Sequence, residues 1–186
     1  DPEQGRLAPG RFRQALRAHG TTPALGLATV HKASSEALFE PGRKLGMRLF
    51  TGKVLMDSNC PADLRDDVAQ AEADCIELIE RWHGVDRLAY AVTPRFAATS
   101  SDAQLTMAGG LLQRYANHAG GLYMQTHVAE NRDEVRWIAE LFPDSRSYLD
   151  VYDRRGLLTR RSVLAHGIWL DDADRERMAQ IGRAHV

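Results

Sequence analysis

The sequence lacks three features that would each indicate a particular class of protein. It contains no run of about eighteen apolar residues, so no segment is predicted to span a membrane. It has no excess of one charge, because 24 Lys and Arg residues face 25 Asp and Glu residues, which argues against an electrostatic nucleic-acid surface. It has only two cysteines, Cys60 and Cys75, too few for a disulfide framework and typical of a reducing compartment. We therefore expect a cytoplasmic protein that binds neither nucleic acid nor membrane.

The sequence also lacks internal repeats, low-complexity tracts and Pro/Gly-rich linkers, so no domain boundary is indicated within its 186 residues. What it contains is an alternation of short apolar runs and amphipathic stretches. The runs are nearly continuous in apolar or small residues, as in strands covered on both faces. They lie at 24–30, 47–56, 88–93, 121–126 and 162–165. This α/β order predicts parallel strands joined by helices, in either an open doubly wound sheet or part of a barrel.

Helices are predicted between the apolar runs. The clearest spans residues 64–82, where apolar side chains recur every three or four residues and form one stripe. Ser101 with Gln104, and Asn131 with Glu134, have the spacing of capping boxes. These two pairs predict where two further helices begin.

Polar or aromatic side chains follow each predicted strand, at the end where parallel α/β domains carry their functional groups. They are His31, Asp57, Asn59, Arg95, Phe96, His127, Glu130 and His166. Three of the five predicted strand ends carry a histidine. This frequency favours a metal or acid/base site over a scaffold without a site.

His127 and Glu130, in the string QTHVAEN, form the most specific local pattern. A histidine at a strand end can bind zinc through one ring nitrogen while an acceptor holds the other nitrogen. A carboxylate three residues later can lie beside the metal and carry protons from bound water to a leaving group. However, H-x-x-E is a common pattern, and a helix dipole would equally favour Glu130 at a helix start. Both interpretations remain open on spacing alone.

Two further strand ends supply candidate substrate contacts. His166, in LAHG, ends the strand after that of His127 and would lie beside it, although it could simply turn the chain into Gly167. Arg95 and Phe96, in TPRF, offer a rigid fork of donors and a stacking face, which a planar heteroaromatic substrate would use. The alternative for this pair is an ion pair and a buried ring.

The strings GKVLMD, TPRF, QTHVAEN, SYLDVYD, GLL and AHG occur in this order along the chain. Their order and spacing resemble the guanine deaminases, a family of the amidohydrolase superfamily, over residues 21–180. The resemblance implies a zinc-dependent (β/α)8 barrel of the TIM type. It also implies one Zn²⁺ ion as cofactor and hydrolysis of guanine to xanthine and ammonia.

The resemblance implies a role for each candidate residue. His127 of the QTH string is expected to bind the metal, and Glu130 of the AEN string to shuttle protons. His166 of the AHG string is expected to lie beside the metal and the substrate. Arg95 and Phe96 of the PRF string are expected to contact the purine. Glu130 and His166 are thus the expected catalytic residues, and the substrate is expected to lie against Arg95, Phe96, His127 and Glu130.

The sequence departs from the family pattern near both ends. The family opens its barrel with an H-x-H string and closes it with a strand bearing a zinc-binding aspartate, and the sequence contains neither. Because a TIM barrel needs about 250 residues, the chain is expected to hold about strands 2–6 of 8, as an internal fragment. Residues 1–180 are expected to form this partial barrel domain. The family's H-C-P string is also absent after Gly182. Residues 181–186 are expected to be a non-native tail, because IGRAHV is a string that a sequencing adapter encodes when it is translated.

The expected loss of metal ligands bears on function. One histidine cannot hold a zinc ion, so the fragment is expected to be inactive by itself. The full-length enzyme is expected to be a homodimer, by analogy with the family. Two alternatives remain: another aminohydrolase, of the cytosine, adenosine or triazine type, and a partial barrel without catalytic function.

Overall fold

Strands and helices alternate along the chain, as the sequence predicts. The computed structural model describes residues 15, 16 and 18–182. The strands are β1 (Pro23–Leu25), β2 (Arg48–Thr51), β3 (Val54–Leu55), β4 (Leu88–Pro94), β5 (Tyr123–Val128) and β6 (Ser162–His166). The helices are α1 (Lys32–Lys44), α2 (Val68–Trp82), α3 (Asp102–Arg114), α4 (Arg132–Leu141), α5 (Tyr148–Asp153) and α6 (Asp172–Ile181). Short 3₁₀ segments lie at Ala62–Leu64, Ala97–Thr99 and His118–Gly120.

The paired strands are parallel, and the sheet has the order β1-β2-β4-β5-β6. The short strand β3 continues the line of β2 and pairs with the end of β4, where Leu55 lies opposite Pro94. Parallel strands joined by crossover helices present their carboxyl ends at one edge of the sheet. The residues that follow the strands are therefore gathered at this edge.

The sheet is strongly curved. Nε2 of Gln125 on β5 donates to the carbonyl oxygen of Gly26, just after β1, at 3.1 Å. In a flat sheet the strands β2 and β4 would lie between these residues, about 14 Å apart at three strand spacings. The same amide nitrogen lies 3.1 Å from Oγ1 of Thr93 on β4. These bonds mark the concave face, and the curvature is that of a partly closed barrel.

The convex face of the sheet is covered by helices. On β4, all residues of Leu88–Pro94 are buried, so the strand is covered on both faces. The ring of Phe39 from α1 stacks between Trp82 of α2, at 5.5 Å between ring centroids, and Tyr90 of β4, at 6.5 Å. This aromatic stack joins two helices to the central strand.

Two predicted strands are shorter than the apolar runs that suggest them. The run 47–56 forms β2 and β3 rather than one strand. The chain is interrupted at Gly52, where a Cβ would lie only 2.0 Å from the carbonyl oxygen of Ala91, so glycine allows a close backbone approach there. The run 24–30 contributes only to β1, which ends at Leu25, because its partner β2 ends at Thr51.

The helix predicted over 64–82 begins four residues later, at Val68. Asp67 caps it, accepting the backbone N–H of Gln70 at 2.9 Å. The start is displaced because Asp66 is already used: its carboxylate pairs with the buried ammonium of Lys53 and accepts the N–H of Met56 at 2.9 Å. The residue just before the N-cap is thus held by a buried ion pair.

The predicted starts of α3 and α4 are confirmed. The hydroxyl of Ser101 accepts the N–H of Gln104 at 3.1 Å, and Oδ1 of Asn131 accepts the N–H of Glu134 at 2.9 Å. The side chain of Gln104 does not return to Ser101 as in a full capping box. Instead, its Nε2 donates to Asp66 at 3.3 Å.

Some predictions concern residues that the structure does not describe. Of the expected domain 1–180, residues 1–14 and 17 lie outside the described residues, as do residues 183–186 of the expected tail. These bounds therefore stay predictions. Within the described part of the chain, no helix is long and apolar enough to cross a membrane.

Candidate active site

The carboxyl ends of β4, β5 and β6 bring the predicted site residues to one edge of the sheet. Arg95 follows β4, His127 lies near the end of β5, and His166 ends β6. The β5–β6 register places His127 opposite Ala165 and Val128 opposite His166, so the histidines are diagonal neighbours. Their ring centroids are 5.5 Å apart. The structure therefore places the two histidines side by side, as the sequence predicts.

The backbone of the neighbouring strand end holds the ring of His127 in one tautomer. Its Nδ1 lies 2.8 Å from the carbonyl oxygen of Arg95, and its backbone N–H donates to the same oxygen at 3.3 Å. Because a carbonyl oxygen only accepts, this hydrogen bond assigns the proton to Nδ1 and leaves a lone pair on Nε2. Metal-binding histidines typically have their second nitrogen held in this way. The geometry thus fits the ligand role expected for His127.

Glu130 and His166 face each other from adjacent loops. Oε2 of Glu130 lies 3.5 Å from Nε2 of His166, and the side chains are 51% and 33% exposed. A pair this exposed adds little to folding stability. It is instead a carboxylate and an imidazole that lie close together and that solvent can reach. Such a pair can exchange protons with a substrate.

Two residues at this edge hold a backbone conformation that side chains rarely adopt. The φ angle is +51° at Ala129 and +76° at His166, and such values cost about 1–2 kcal/mol for each residue. Backbone bonds hold these loops together, because the carbonyl oxygen of Ala129 accepts from the N–H groups of Ile168 and Trp169 at 3.1 Å each. The strained backbone at Ala129 and His166 is therefore held by these bonds, which fix the positions of Glu130 and His166.

Arg95 and Phe96 form a stacked pair at the end of β4. The guanidinium carbon of Arg95 lies 4.8 Å from the centre of the Phe96 ring, and Trp137 meets that ring edge-to-face at 6.2 Å. Arg95 is exposed, and within the described residues its guanidinium has no ion pair or hydrogen bond. The ion pair of the alternative interpretation is therefore not formed within the described residues. Its donors are free to meet a ligand.

Other strand-end residues hold loops in place. Asp57 accepts the backbone N–H of Ser101 at 2.6 Å and its hydroxyl at 2.5 Å, and so stabilises the start of α3. Asn59 donates through Nδ2 to the carbonyl oxygen of Ala98 at 2.7 Å. His31 directly precedes α1, is exposed and makes no side-chain capping bond. These contacts give Asp57 and Asn59 structural roles.

A buried tyrosine that sequence reasoning does not single out links the strand ends. The hydroxyl of Tyr152 donates to the carbonyl oxygen of His127 at 2.8 Å and accepts the N–H of Ala97 at 2.8 Å. In the sequence it is only one letter of SYLDVYD, since α5 has six residues and is too short for a clear periodicity. Its spacing of four from Tyr148 is the one available signal that it faces inward.

The described residues do not form a metal site by themselves. Within the part of the chain that the structure describes, no group of three or more His, Cys, Asp or Glu side chains is arranged to hold a metal ion. A catalytic zinc site uses three protein ligands and keeps a fourth position for water or substrate. His127 offers one suitable nitrogen, so these residues fit the expected zinc only in part.

Comparison with known proteins shows the family. The amidohydrolase family pattern matches residues 8–185. The chain belongs to the amidohydrolase family. Guanine deaminase of Escherichia coli (strain K12) is 42% identical to this amidohydrolase over 180 residues, which are 97% of this chain and 40% of that protein. The chain thus spans only 40% of the length of that curated relative, and the similarity to guanine deaminases inferred from the strings is confirmed.

Solved structures of similar proteins share the fold. E. coli guanine deaminase has a TM-score of 0.93 at 41% identity, over 97% of this chain and 41% of that one. Guanine deaminase from C. acetobutylicum, solved with guanine in its active site, has a TM-score of 0.87 at 29% identity, over 97% and 42%. Atrazine chlorohydrolase from Arthrobacter aurescens, solved with zinc, shows the fold alone, with a TM-score of 0.79 at 16% identity, over 95% and 40%. The prediction of a partial TIM-type amidohydrolase barrel is confirmed.

Proposed function

We propose that this amidohydrolase chain is part of a guanine deaminase, which hydrolyses guanine to xanthine and ammonia. One observation carries the proposal: His127, Glu130 and His166 meet at adjacent strand ends. They do so in a chain of which 97% aligns with E. coli guanine deaminase at 42% identity. Because the chain spans 40% of that relative, the activity is proposed for the complete barrel, and these 186 residues are expected to be inactive alone.

Arg95 and Phe96 are proposed to bind the purine. Guanine presents two adjacent acceptors, O6 and N7, and the fork of an arginine guanidinium matches them with two hydrogen bonds. An aromatic ring beside the fork adds stacking contact with the base. The guanidinium of Arg95, which has no hydrogen-bond or ion-pair partner among the described residues, lies over the Phe96 ring, so both groups are presented together. This pair favours a purine over smaller substrates.

Glu130 is proposed to move protons during deamination. Water adds at the amino-bearing carbon of guanine, and the amino group must leave as ammonia. A carboxylate can carry one proton from the water to the adjacent ring nitrogen and a second from the new hydroxyl to the departing amino group. Its place 3.5 Å from His166 lets the imidazole polarise the substrate on the same side.

Zinc is proposed as the metal of the complete site, with Nε2 of His127 as one ligand. The metal would bring the pKa of bound water to about 7 and so make hydroxide available at neutral pH. Because the described residues complete no metal site, the other ligands are expected from outside them.

A chimera tests this proposal in a complete barrel. Residues 21–180 replace the matching segment of E. coli guanine deaminase, and ammonia release is measured with guanine, cytosine, adenosine and an aminotriazine. We expect ammonia from guanine and none from the others. A folded, zinc-containing chimera that deaminates one of the others and not guanine would assign the chain to a different aminohydrolase. The same chimera with Arg95→Ala should bind guanine more weakly, which links any turnover to this chain's own residues.

The chain by itself provides a second test. Purified as 186 residues, it is expected to hold far less than one zinc ion per chain and to release no ammonia from guanine, because His127 is a single ligand. Stoichiometric zinc together with turnover would contradict this expectation.

The complete enzyme is further proposed to be a homodimer, by analogy with the family. Sedimentation velocity of the chimera measures its mass directly. Twice the mass of one chain is expected, and a monomer that turns over guanine would contradict the analogy.

A further inference from the structure

The hydroxyl of Tyr152 joins the backbone at two strand ends of the candidate active site. Tyr152 lies on α5 and is fully buried. Its single O–H donates to the carbonyl oxygen of His127, while its oxygen accepts the N–H of Ala97 at 2.8 Å and the hydroxyl of Thr126 at 3.2 Å. A phenolic hydroxyl has one donor and two lone pairs. Its donor and both lone pairs therefore have partners at the ends of β4 and β5, and the hydroxyl of Tyr148 on the same helix also contacts it.

These bonds complete a closed ring with the bond that fixes the tautomer of His127. The carbonyl oxygen of Arg95 accepts from the His127 ring, and two residues later the N–H of Ala97 donates to the hydroxyl of Tyr152. That hydroxyl returns to the carbonyl oxygen of His127. Without the hydroxyl, a buried N–H and a carbonyl lose their partner, and the spacing of the two strand ends is no longer fixed.

The hydroxyl of Tyr152 is available as a donor. Burial raises the pKa of Tyr152 above the ordinary value of a phenol, so the hydroxyl is protonated at neutral pH. It can therefore donate to the carbonyl oxygen of His127 there.

We propose that Tyr152 is a positioning residue, whose hydroxyl fixes the ends of β4 and β5 so that His127 stays in the Nδ1–H tautomer with Nε2 unprotonated. This positioning role rests on the proposed function only in that guanine deamination is the reaction in which His127 would take part. The tautomer itself is a property of this chain and is measured without turnover.

The matched control is on the same helix. Tyr148 lies one turn before Tyr152 and is also buried, but its hydroxyl is 3.5 Å from the carbonyl oxygen of His127. At that distance little of a hydrogen bond remains. The Tyr148 hydroxyl also contacts the hydroxyl of Tyr152 and the carboxylate of Glu134. Because it is not a link in the ring of bonds between the strand ends, Tyr148→Phe removes a hydroxyl from the same region and leaves each bond of that ring in place.

Nitrogen-15 NMR of the histidine rings in the full chain tests the proposal. Wild type and Tyr148→Phe should show His127 almost wholly as the Nδ1–H tautomer. Tyr152→Phe should raise the Nε2–H fraction several-fold and speed amide exchange of Ala97 about tenfold, as expected for one lost hydrogen bond. Wild-type tautomer fractions in Tyr152→Phe would overturn the proposal even if that variant were less stable, and so would equal shifts in both variants.

If Tyr152→Phe does not fold, the proposal is tested on the wild-type chain alone. The hydroxyl proton of Tyr152 should exchange slowly with water and show a cross-peak to the amide proton of Ala97. A His127 ring in mixed tautomers in wild type would overturn the proposal. A chimera without guanine turnover, combined with the NMR effect of Tyr152→Phe, would contradict the proposed function and leave this positioning role intact.

Discussion

Two adjacent glycines on α3 predict opposite effects of the same substitution. A Cβ at Gly109 would lie 1.8 Å from the carbonyl oxygen of Arg155, whereas a Cβ at Gly110 would meet nothing within 4 Å. Because non-bonded heavy atoms are in favourable van der Waals contact only at about 3.5 Å or more, Gly109→Ala must displace the backbone at Arg155 by more than about 1 Å. Arg155 is the second residue after the end of α5, so the substitution also strains the end of the helix that carries Tyr152.

The two variants allow the cost of this clash to be isolated. Alanine is favoured over glycine inside a helix by about 0.8–1.0 kcal/mol, and this gain is available at both positions. Gly110→Ala should therefore raise the free energy of unfolding by about that amount. Displacing packed backbone costs about 1–3 kcal/mol, so the free energy of unfolding of Gly109→Ala should lie about 1–3 kcal/mol below that of Gly110→Ala.

Urea unfolding of the full chain, followed by circular dichroism, measures both changes. The denaturant slopes should be equal in wild type and the two variants, so that midpoints report stability. If Gly109→Ala were as stable as Gly110→Ala, α3 would not pack against the end of α5, and the placement of Tyr152 would be wrong as well.

Two further predictions concern buried ionisable groups. Burial lowers the pKa of His83 from its ordinary 6.5, and its Nδ1 accepts the N–H of Tyr90 at 3.0 Å. The neutral ring thus stabilises the fold above about pH 6.5, and this stability is lost as the pH falls below that value. In urea unfolding at several pH values, His83→Asn, which does not titrate, should lose part of the pH slope, and an unchanged slope would contradict the linkage. Lys53→Met should lower the free energy of unfolding by about 3–5 kcal/mol, because it leaves the carboxylate of Asp66 buried without its cation. Arg43→Ala, at an exposed ion pair, should lower it by less than about 1 kcal/mol. Equal losses of stability in the two variants would show that the pair of Lys53 and Asp66 is open to water.

The edge of the sheet that carries the site could be predicted from sequence because it depends on local pattern alone. An unbroken apolar run marks a strand covered on both faces, and the next residue lies at the end of that strand. Because neighbouring parallel strands end at the same edge of the sheet, the residues that directly follow each strand lie close together there. The local pattern therefore predicts His127 and His166 side by side, with Glu130 in the same loop region.

The features that could not be predicted depend on contacts between distant parts of the chain. The break at Gly52 reflects the approach of the Ala91 carbonyl group, and the late start of α2 reflects the pairing of Lys53 with Asp66. Tyr152 acquires its role only when α5 packs beneath two strand ends. No periodicity or spacing carries such information, because these contacts form only in the folded chain.

Glu130→Gln in the chimera tests the central claim most directly, with guanine turnover and zinc content measured on the same sample. Glutamine keeps the shape of the side chain and cannot take up a proton, so kcat is expected to fall about 10²–10⁴-fold while zinc content stays unchanged. Turnover close to that of the unsubstituted chimera would contradict proton transfer by Glu130. Loss of zinc together with activity would contradict it too, by making Glu130 a metal ligand.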